Sequence, residues 1–346
     1  MASPAIAERR AFSHGRLQEF AAQLGQAEGS YGSQCCVYAT GSYGRGEASR
    51  HSDLDVFIVG VTKPRSDAPE AGGESPERAL NPLDETCLKS DLIRATRALE
   101  LPEFSGNGEY LQHYTDHELA KAIGAPNDDH ANTFTARLLM LLESRPIFGQ
   151  AVYEQAIATI IDAYFLDYDD HADSFEPVFL VNDILRLWRT FCVNYEHRTR
   201  AAAKLPPGME ETPEKKAKRK LKHYKLTHSR MLTCYSAIAS LLETFSRQRR
   251  VSKDDIRQLV SERPLDRLAA IGRQRNTVDD QVNAVVEHYA GFLQATDASE
   301  ENLVAQFQDR EFARRRAYDA RTFGQLVFNL VRSIDSESRL FQTLVV

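Results

Sequence analysis

Two aspartates separated by a single leucine, Asp53 and Asp55, close the segment Gly41–Asp55, which reads GSYGRGEASRHSDLD. Side chains alternate along an extended strand with period two, so these two carboxylates share a face. Paired carboxylates suit hard cations such as magnesium, which take oxygen ligands and complete their shells with water and substrate phosphates. Two such ions about 3.5–4 Å apart activate an attacking oxygen and stabilise a departing pyrophosphate. At the head of the same segment, Gly41 lets backbone approach a triphosphate closely, and Ser42 offers it a hydroxyl and an amide. The chemistry these types and spacings suit is metal-assisted transfer at a nucleotide phosphate.

Such a site needs strands on either side of it. Cys35–Thr40 (CCVYAT) and Asp55–Val61 (DVFIVGV) are short apolar runs rich in strand formers, while the glycine-rich stretch between them reads as a loop and helix start. Lys63–Glu77, rich in Pro, Gly, Ser and acids, predicts an exposed loop, and Leu83–Leu101 has helical apolar spacing. Gly108–Thr115 predicts a third strand, followed by a helix from Asp116 to Ile123. From Asn132 onward the helical period dominates. Phe134–Glu143 predicts a helix ended by Pro146, and Gln150–Phe165, Val178–Tyr195, Leu221–Arg247 and Val282–Thr296 predict further helices. Asp254–Glu262 is a shorter one with Ser252 as its N-cap. Ala201–Lys216, with adjacent prolines, a glycine and several charges, predicts a flexible loop near 201–216. The pattern divides the chain into an α/β catalytic domain over 1–150 and an all-α domain over 151–346.

Bulk properties fit that picture. The 346 residues are 42% hydrophobic and 27% charged, ordinary values for a globular protein long enough to bury a core. No apolar run reaches the roughly 18 residues a bilayer demands, so no membrane insertion is expected. The N-terminus lacks the apolar stretch of a secretory signal. Five scattered cysteines without CxxC spacing indicate neither a disulfide framework nor a zinc knuckle, and a reducing cytoplasm fits them best. A net charge of −6 excludes a chain that is basic overall, although local patches such as Lys215–Lys225 remain candidates for phosphate.

A Gly-Ser pair, a polar turn and then Asp-x-Asp flanked by apolar residues resembles the signature of the DNA polymerase β-type nucleotidyltransferase superfamily. The variant GSYGRGE…SDLD resembles its bacterial branch, which includes uridylyl- and adenylyltransferases, minimal antitoxin-type transferases and signal-synthesising anti-phage enzymes, the Hailong type among them. The resemblance covers about the first 150 residues. It implies an α+β fold: a polymerase β-type head (mixed sheet with flanking helices) plus a C-terminal all-α domain. It further implies that Gly41 and Ser42 bind the triphosphate of an NTP or dNTP. Asp53 and Asp55 would hold two Mg2+ ions, with Mn2+ as a substitute. The superfamily uses a third acid on a neighbouring strand as metal ligand and general base. Glu109 is the candidate, a departure from the usual aspartate. Asp116 and Asp91 are weaker, since both sit in apparent helices.

Other residues extend the candidate site. Arg45 either touches phosphate or pairs with Glu47 to hold the loop. Asn182, Arg186 and Arg189 share a helical face that either lines a nucleotide cleft or forms an inter-helix network, beside a Trp188 read as core. Lys218, Lys222 and Lys225 also share a face. By resemblance to two-domain transferases, Lys222 or Lys225 would reach the triphosphate; otherwise the run is solvated or tracks a nucleic-acid strand.

The acceptor is not fixed by such a head. One class makes a cyclic or short single-stranded nucleotide signal for anti-phage defence, acting on an effector protein encoded nearby. A second nucleotidylylates a protein or small molecule, and a third only binds nucleotide or partner. The single head with a large helical body resembles the first. The last tyrosine, Tyr318, lies in RRRAYDAR well before the C-terminus, which weakens a self-priming reading.

Overall fold

The structure, a computed structural model, describes residues 3–63, 77–104, 108, 111–203 and 211–344. The chain divides into two compact units, residues 7–167 and residues 168–346 together with 1–6.

In the first unit, helices α1 (Pro4–Gln23, from Ala7 onward) and α2 (Gly25–Tyr31) precede strand β1 (Cys35–Ala39) and the short helix α3 (Gly41–Arg45). Strand β2 (Val56–Gly60), the two-residue strands β3 (Thr62–Lys63) and β4 (Glu77–Arg78), helix α4 (Pro82–Ala98), strand β5 (His113–Thr115) and helix α5 (Asp116–Lys121) follow. Helix α6 (Thr133–Glu143), strand β6 (Arg145–Phe148) and helix α7 (Gln150–Tyr164) complete the unit. The four-stranded sheet has the order β5-β2-β1-β6 and is mixed: β1 pairs antiparallel with β2 and β6, and β2 pairs parallel with β5. Every residue of β1 and β2 is buried, as expected of a sheet covered on both faces. Cys35, Val37 and Ala39 of β1 join Phe20, Leu88 and Leu92 in one apolar cluster. From the alternate positions, Tyr38 stacks on Phe57 at 5.6 Å and meets Tyr153 of α7 at 6.2 Å.

The chain signals that start these helices are chemically plain. Asn81 accepts from the Leu83 and Asp84 amides at the start of α4, with Pro82 as the first helical residue. Thr115 and Glu118 form a capping box on α5. α6 stops at Glu143, and Pro146 lies beyond it in the edge strand β6, where a missing N–H is tolerated. Among the described residues of the Gly108–Thr115 stretch expected as a third strand, strand geometry is confined to His113–Thr115.

The second unit is helical: α8 (Val178–Ala203), α9 (Pro213–Lys225), α10 (Met231–Gln248), α11 (Lys253–Ser261) and α12 (Pro264–Gln274). Then come α13 (Asp279–Ala295), α14 (Glu300–Gln308), α15 (Arg310–Asp335) and α16 (Arg339–Gln342). Ser252 caps α11 in a box with Asp255, as its position suggested. Helix continues on both sides of the expected 201–216 loop, to Ala203 and from Pro213. The single helix expected over Leu221–Arg247 is instead broken by a π-helical turn, Leu226–Arg230. A π turn adds a residue to the helical circuit and preserves regular spacing on either side, so the apolar period alone does not reveal it. The turn buries His228 between the rings of Phe292 and Phe323, at 4.5 and 4.8 Å. Among the described residues no helix is long and apolar enough to cross a membrane.

Candidate nucleotidyl-transfer site

The site grows from the connection between β1 and β2. The β1–β2 ladder continues one step past the strands, with the Thr40 amide donating to the Asp55 carbonyl at 2.9 Å. Asp53 and Asp55 therefore lie on the extended segment entering β2, not on the strand proper as expected. Alternation nevertheless holds: Leu54 is buried, Asp53 is exposed and Asp55 is half-buried.

At the other end of the connection the backbone turns sharply. Gly41 has φ +63°, in the left-handed region that favours glycine, and a Cβ there would stand 2.7 Å from Asp55 Oδ2. The missing side chain leaves room for the Asp55 carboxylate. The Gly41 amide is not presented outward; it donates to Glu143 Oε1 at 3.1 Å. Ser42 is half-buried, and no acceptor among the described residues engages its hydroxyl or amide. Gly44 packs so tightly on the end of α6 that an added Cβ would overlap the Glu143 carbonyl.

A buried charge network holds this turn. Arg45 donates from Nε to Glu47 Oε2 at 2.7 Å and from Nη1 to Glu143 Oε2 at 2.9 Å. Arg45, Glu47 and Glu143 are all buried. Glu143 thus binds the first residue of the turn by its amide and the last by its guanidinium. Of the two roles open to Arg45, the geometry carries loop support: its guanidinium is committed to carboxylates. The far side of the loop is tied to α1, where Ser13 Oγ accepts from the Ala48 amide at 2.9 Å and donates to the Arg9 carbonyl at 2.7 Å. Glu143 was missed from sequence. The available signal was an acid closing the apolar run Leu138–Leu142 at the C-terminal end of a helix, where the helix dipole disfavours negative charge.

The remaining expected residues fall as follows. Glu109 lies outside the described residues. Among the described residues no group of three His, Cys, Asp or Glu side chains is assembled for a metal. Because β5 runs parallel to β2, chain enters β5 from the same end of the sheet at which Asp55 enters β2. Asp116 follows β5 at the opposite end, six residues along the strand direction from the level of Asp55, or about 20 Å. Its carboxylate also accepts from the His117 amide and from Gln155. Asp116 is therefore no third ligand. Arg186, on α8, lies 3.6 Å from Asp183 in an i, i+3 pair. Lys222 and Lys225 are exposed on α9, while Lys218 pairs with Glu214 at 3.0 Å. Trp188 meets Tyr235 edge-on at 6.2 Å.

A family model described as "Nucleotidyltransferase domain" matches residues 33–106. The first unit carries a nucleotidyltransferase domain. The match begins just before β1 and contains the Gly41 turn and the Asp53/Asp55 pair, and it ends before β5. No curated protein and no solved structure gives a match to the chain.

Proposed function

We propose that the chain transfers a nucleotide from an NTP or dNTP to a hydroxyl acceptor, with release of pyrophosphate, at the Gly41–Asp55 turn. The observation that carries this reading is the gap left by Gly41 against Asp55 Oδ2, inside a segment matched as a nucleotidyltransferase domain. The donor set there is all carboxylate oxygen, which fits magnesium, with manganese as a substitute. Asp53 and Asp55 are the residues that would hold the ions, with Glu109 proposed as the third carboxylate. When bound, the metals would polarise the phosphates and neutralise charge on the leaving pyrophosphate.

The chain's own groups do the rest. The Ser42 hydroxyl and amide bind a phosphate oxygen, since no acceptor among the described residues engages them. Glu143, Arg45 and Glu47 fix the turn so that Gly41 and Ser42 keep their place relative to Asp55. Glu109 takes the acceptor proton. Lys222, Lys225 and Arg186, all on the helical unit, are proposed as further nucleotide-binding residues. The product class we favour is a nucleotide or short oligonucleotide signal made without template, in anti-phage defence, with an effector as its reader.

The test is incubation of the purified chain with magnesium and each labelled NTP and dNTP. Pyrophosphate release that vanishes in Asp53→Ala/Asp55→Ala is expected. Free oligomers or cyclic products support the signal class, and label that needs an added protein or small molecule supports the modifying class. Nucleotide bound without turnover in any mixture would refute transfer chemistry.

A further inference from the structure

The helical unit holds a concavity built from its own residues. A cavity of about 290 Å³ opens between the C-terminal part of α8, the last turns of α9, the end of α14 and the first three turns of α15. Its walls are cationic and aromatic: Tyr195, Lys220, His223, Phe307, Arg310 and Arg314. Along α15 it continues into a shallow hollow of about 620 Å³ lined by that helix alone, which shares Arg314 and Arg316 with it and adds Arg315, Tyr318, Asp319 and Arg321.

The charge pattern is one-sided. Six cations, Lys220, Arg310, Arg314, Arg315, Arg316 and Arg321, line the two hollows against the single carboxylate of Asp319. That carboxylate is already engaged by Arg316 at 2.8 Å. Among the described residues, Lys220, Arg310, Arg314, Arg315 and Arg321 have no acidic partner. A chain of net charge −6 has ample carboxylates to neutralise surface arginines. Concentrating unpaired ones over two adjoining hollows creates a local field that attracts anions.

The cations are also spaced. Arg310 and Arg314 sit one helical turn apart, and Arg310 to Arg321 spans about 16 Å along the helix. Between them the helix presents Ala313, Ala317 and Ala320, whose small side chains leave the floor open. Aromatic faces alternate with the charges. The Tyr195 ring lies 4.8 Å from the His223 imidazole, and Tyr318 is 64% exposed among its arginines. Basic tracks interleaved with aromatic platforms bind single strands, with cations on phosphates and rings on bases. One mononucleotide would occupy the smaller hollow and leave the Arg315–Arg321 stretch without an anion.

We propose that this face of the helical unit binds a short single-stranded nucleic acid. A base enters the Tyr195/His223 hollow, and the phosphates run along Lys220, Arg310, Arg314, Arg315 and Arg321. The inference does not depend on the head's chemistry.

The test is fluorescence anisotropy of the full chain with a labelled twelve-residue oligothymidylate over a salt series. Wild type should bind with a log–log salt slope near −2 to −3, about −0.7 for each of three or four phosphates. Arg310→Glu/Arg314→Glu should weaken binding at least tenfold with unchanged circular dichroism. If that variant unfolds, Arg310→Gln/Arg314→Gln replaces it, with a several-fold loss expected. Tyr318→Ala should cost roughly tenfold through the lost stacking platform. Asp53→Ala/Asp55→Ala should bind as wild type does, which separates this site from the head. Unchanged affinity in the folded arginine variants overturns the proposal. So does a twelve-mer that binds no tighter than thymidine monophosphate, or a duplex that binds better than the single strand.

Discussion

Glu143→Ala is the most informative single change in the first unit, because Glu143 touches no expected substrate atom and yet joins both ends of the Gly41–Arg45 turn. Its loss leaves the Gly41 amide without an acceptor, a cost of about 1–3 kcal/mol for a buried donor. It also strips one of two carboxylates from a guanidinium whose side chain is only 6% exposed. Breaking a buried ion pair costs about 3–5 kcal/mol, and the retained Glu47 contact moves the value to the lower end. The two effects share one side chain and are not additive, so about 3–5 kcal/mol is expected in total. For a unit of this size that is a melting-temperature fall of roughly 10 °C, at about 2–4 °C per kcal/mol. Glu143→Gln separates charge from shape. Its carbonyl can still accept from Gly41, but its amide turns two donors toward the Arg45 donors, so it should fall between wild type and alanine. Differential scanning calorimetry measures stability, and magnesium-dependent pyrophosphate release reports the turn itself. A Glu143→Ala protein that melts within 1–2 °C of wild type and keeps its release rate would refute the claim that this carboxylate organises the site.

Three further changes probe geometry and pH. Gly44→Ala should destabilise more than Gly41→Ala. The Gly44 Cβ would meet the backbone carbonyl of Glu143, whereas at Gly41 it meets the end of the Asp55 side chain at 2.7 Å, and urea unfolding midpoints rank the two. Gly41→Ala should instead lower pyrophosphate release most, since it displaces the Asp55 carboxylate. Burial pushes the His228 imidazole down to about 3, with the nearby charges of His288 and Arg316 adding to the shift. Its folded pKa lies below the unfolded value, so the unfolded chain binds the extra proton first. The stability contributed is whole above about pH 6.5 and is lost as pH falls toward 3. His228→Phe should flatten the pH dependence of unfolding between pH 6 and 4 by up to about 1.4 kcal/mol per pH unit, the slope for one proton. An unchanged slope in urea titrations would show that His228 is not the group responsible.

What was legible in the sequence was local. The turn, its two carboxylates and the two strands beside it occupy one short stretch, and period-two burial is written directly into Asp53-Leu54-Asp55. Ser252 as a cap and most helices of the second unit were readable for the same reason, since capping and helical period act over a few residues. What escaped depends on distance in the chain. Glu143 lies 98 residues from Arg45 and 102 from Gly41, and its neighbours advertise only an apolar helix. The basic hollow is likewise assembled from α8, α9, α14 and α15. Sequence spacing singled out Lys222 and Lys225 on α9, while Lys220, on another side of the same helix, is the lysine that lines the hollow. Residues 1–31 carried no strong pattern, yet α1 supplies Ser13, the tether of the loop, because a single hydroxyl at a helix face leaves no periodic trace.

The division of labour around the turn has a physical reason. Carboxylates proposed to take a cation must stay within reach of solvent, and Asp53 is exposed while Asp55 is half-buried. A carboxylate pair on an extended segment outside the strand proper draws little rigidity from the sheet ladder itself. Rigidity must therefore come from beneath, and the chain places its buried charges there. Arg45, Glu47 and Glu143 cross-link the turn to α6, and the Thr40–Asp55 backbone bond locks the turn's exit to its entrance. Burying three charged groups is costly unless each is paired and hydrogen-bonded. A purely structural turn would be served as well by apolar packing. A preorganised site, where displacement of an ångström weakens catalysis by orders of magnitude, is the setting in which such a network is worth its desolvation.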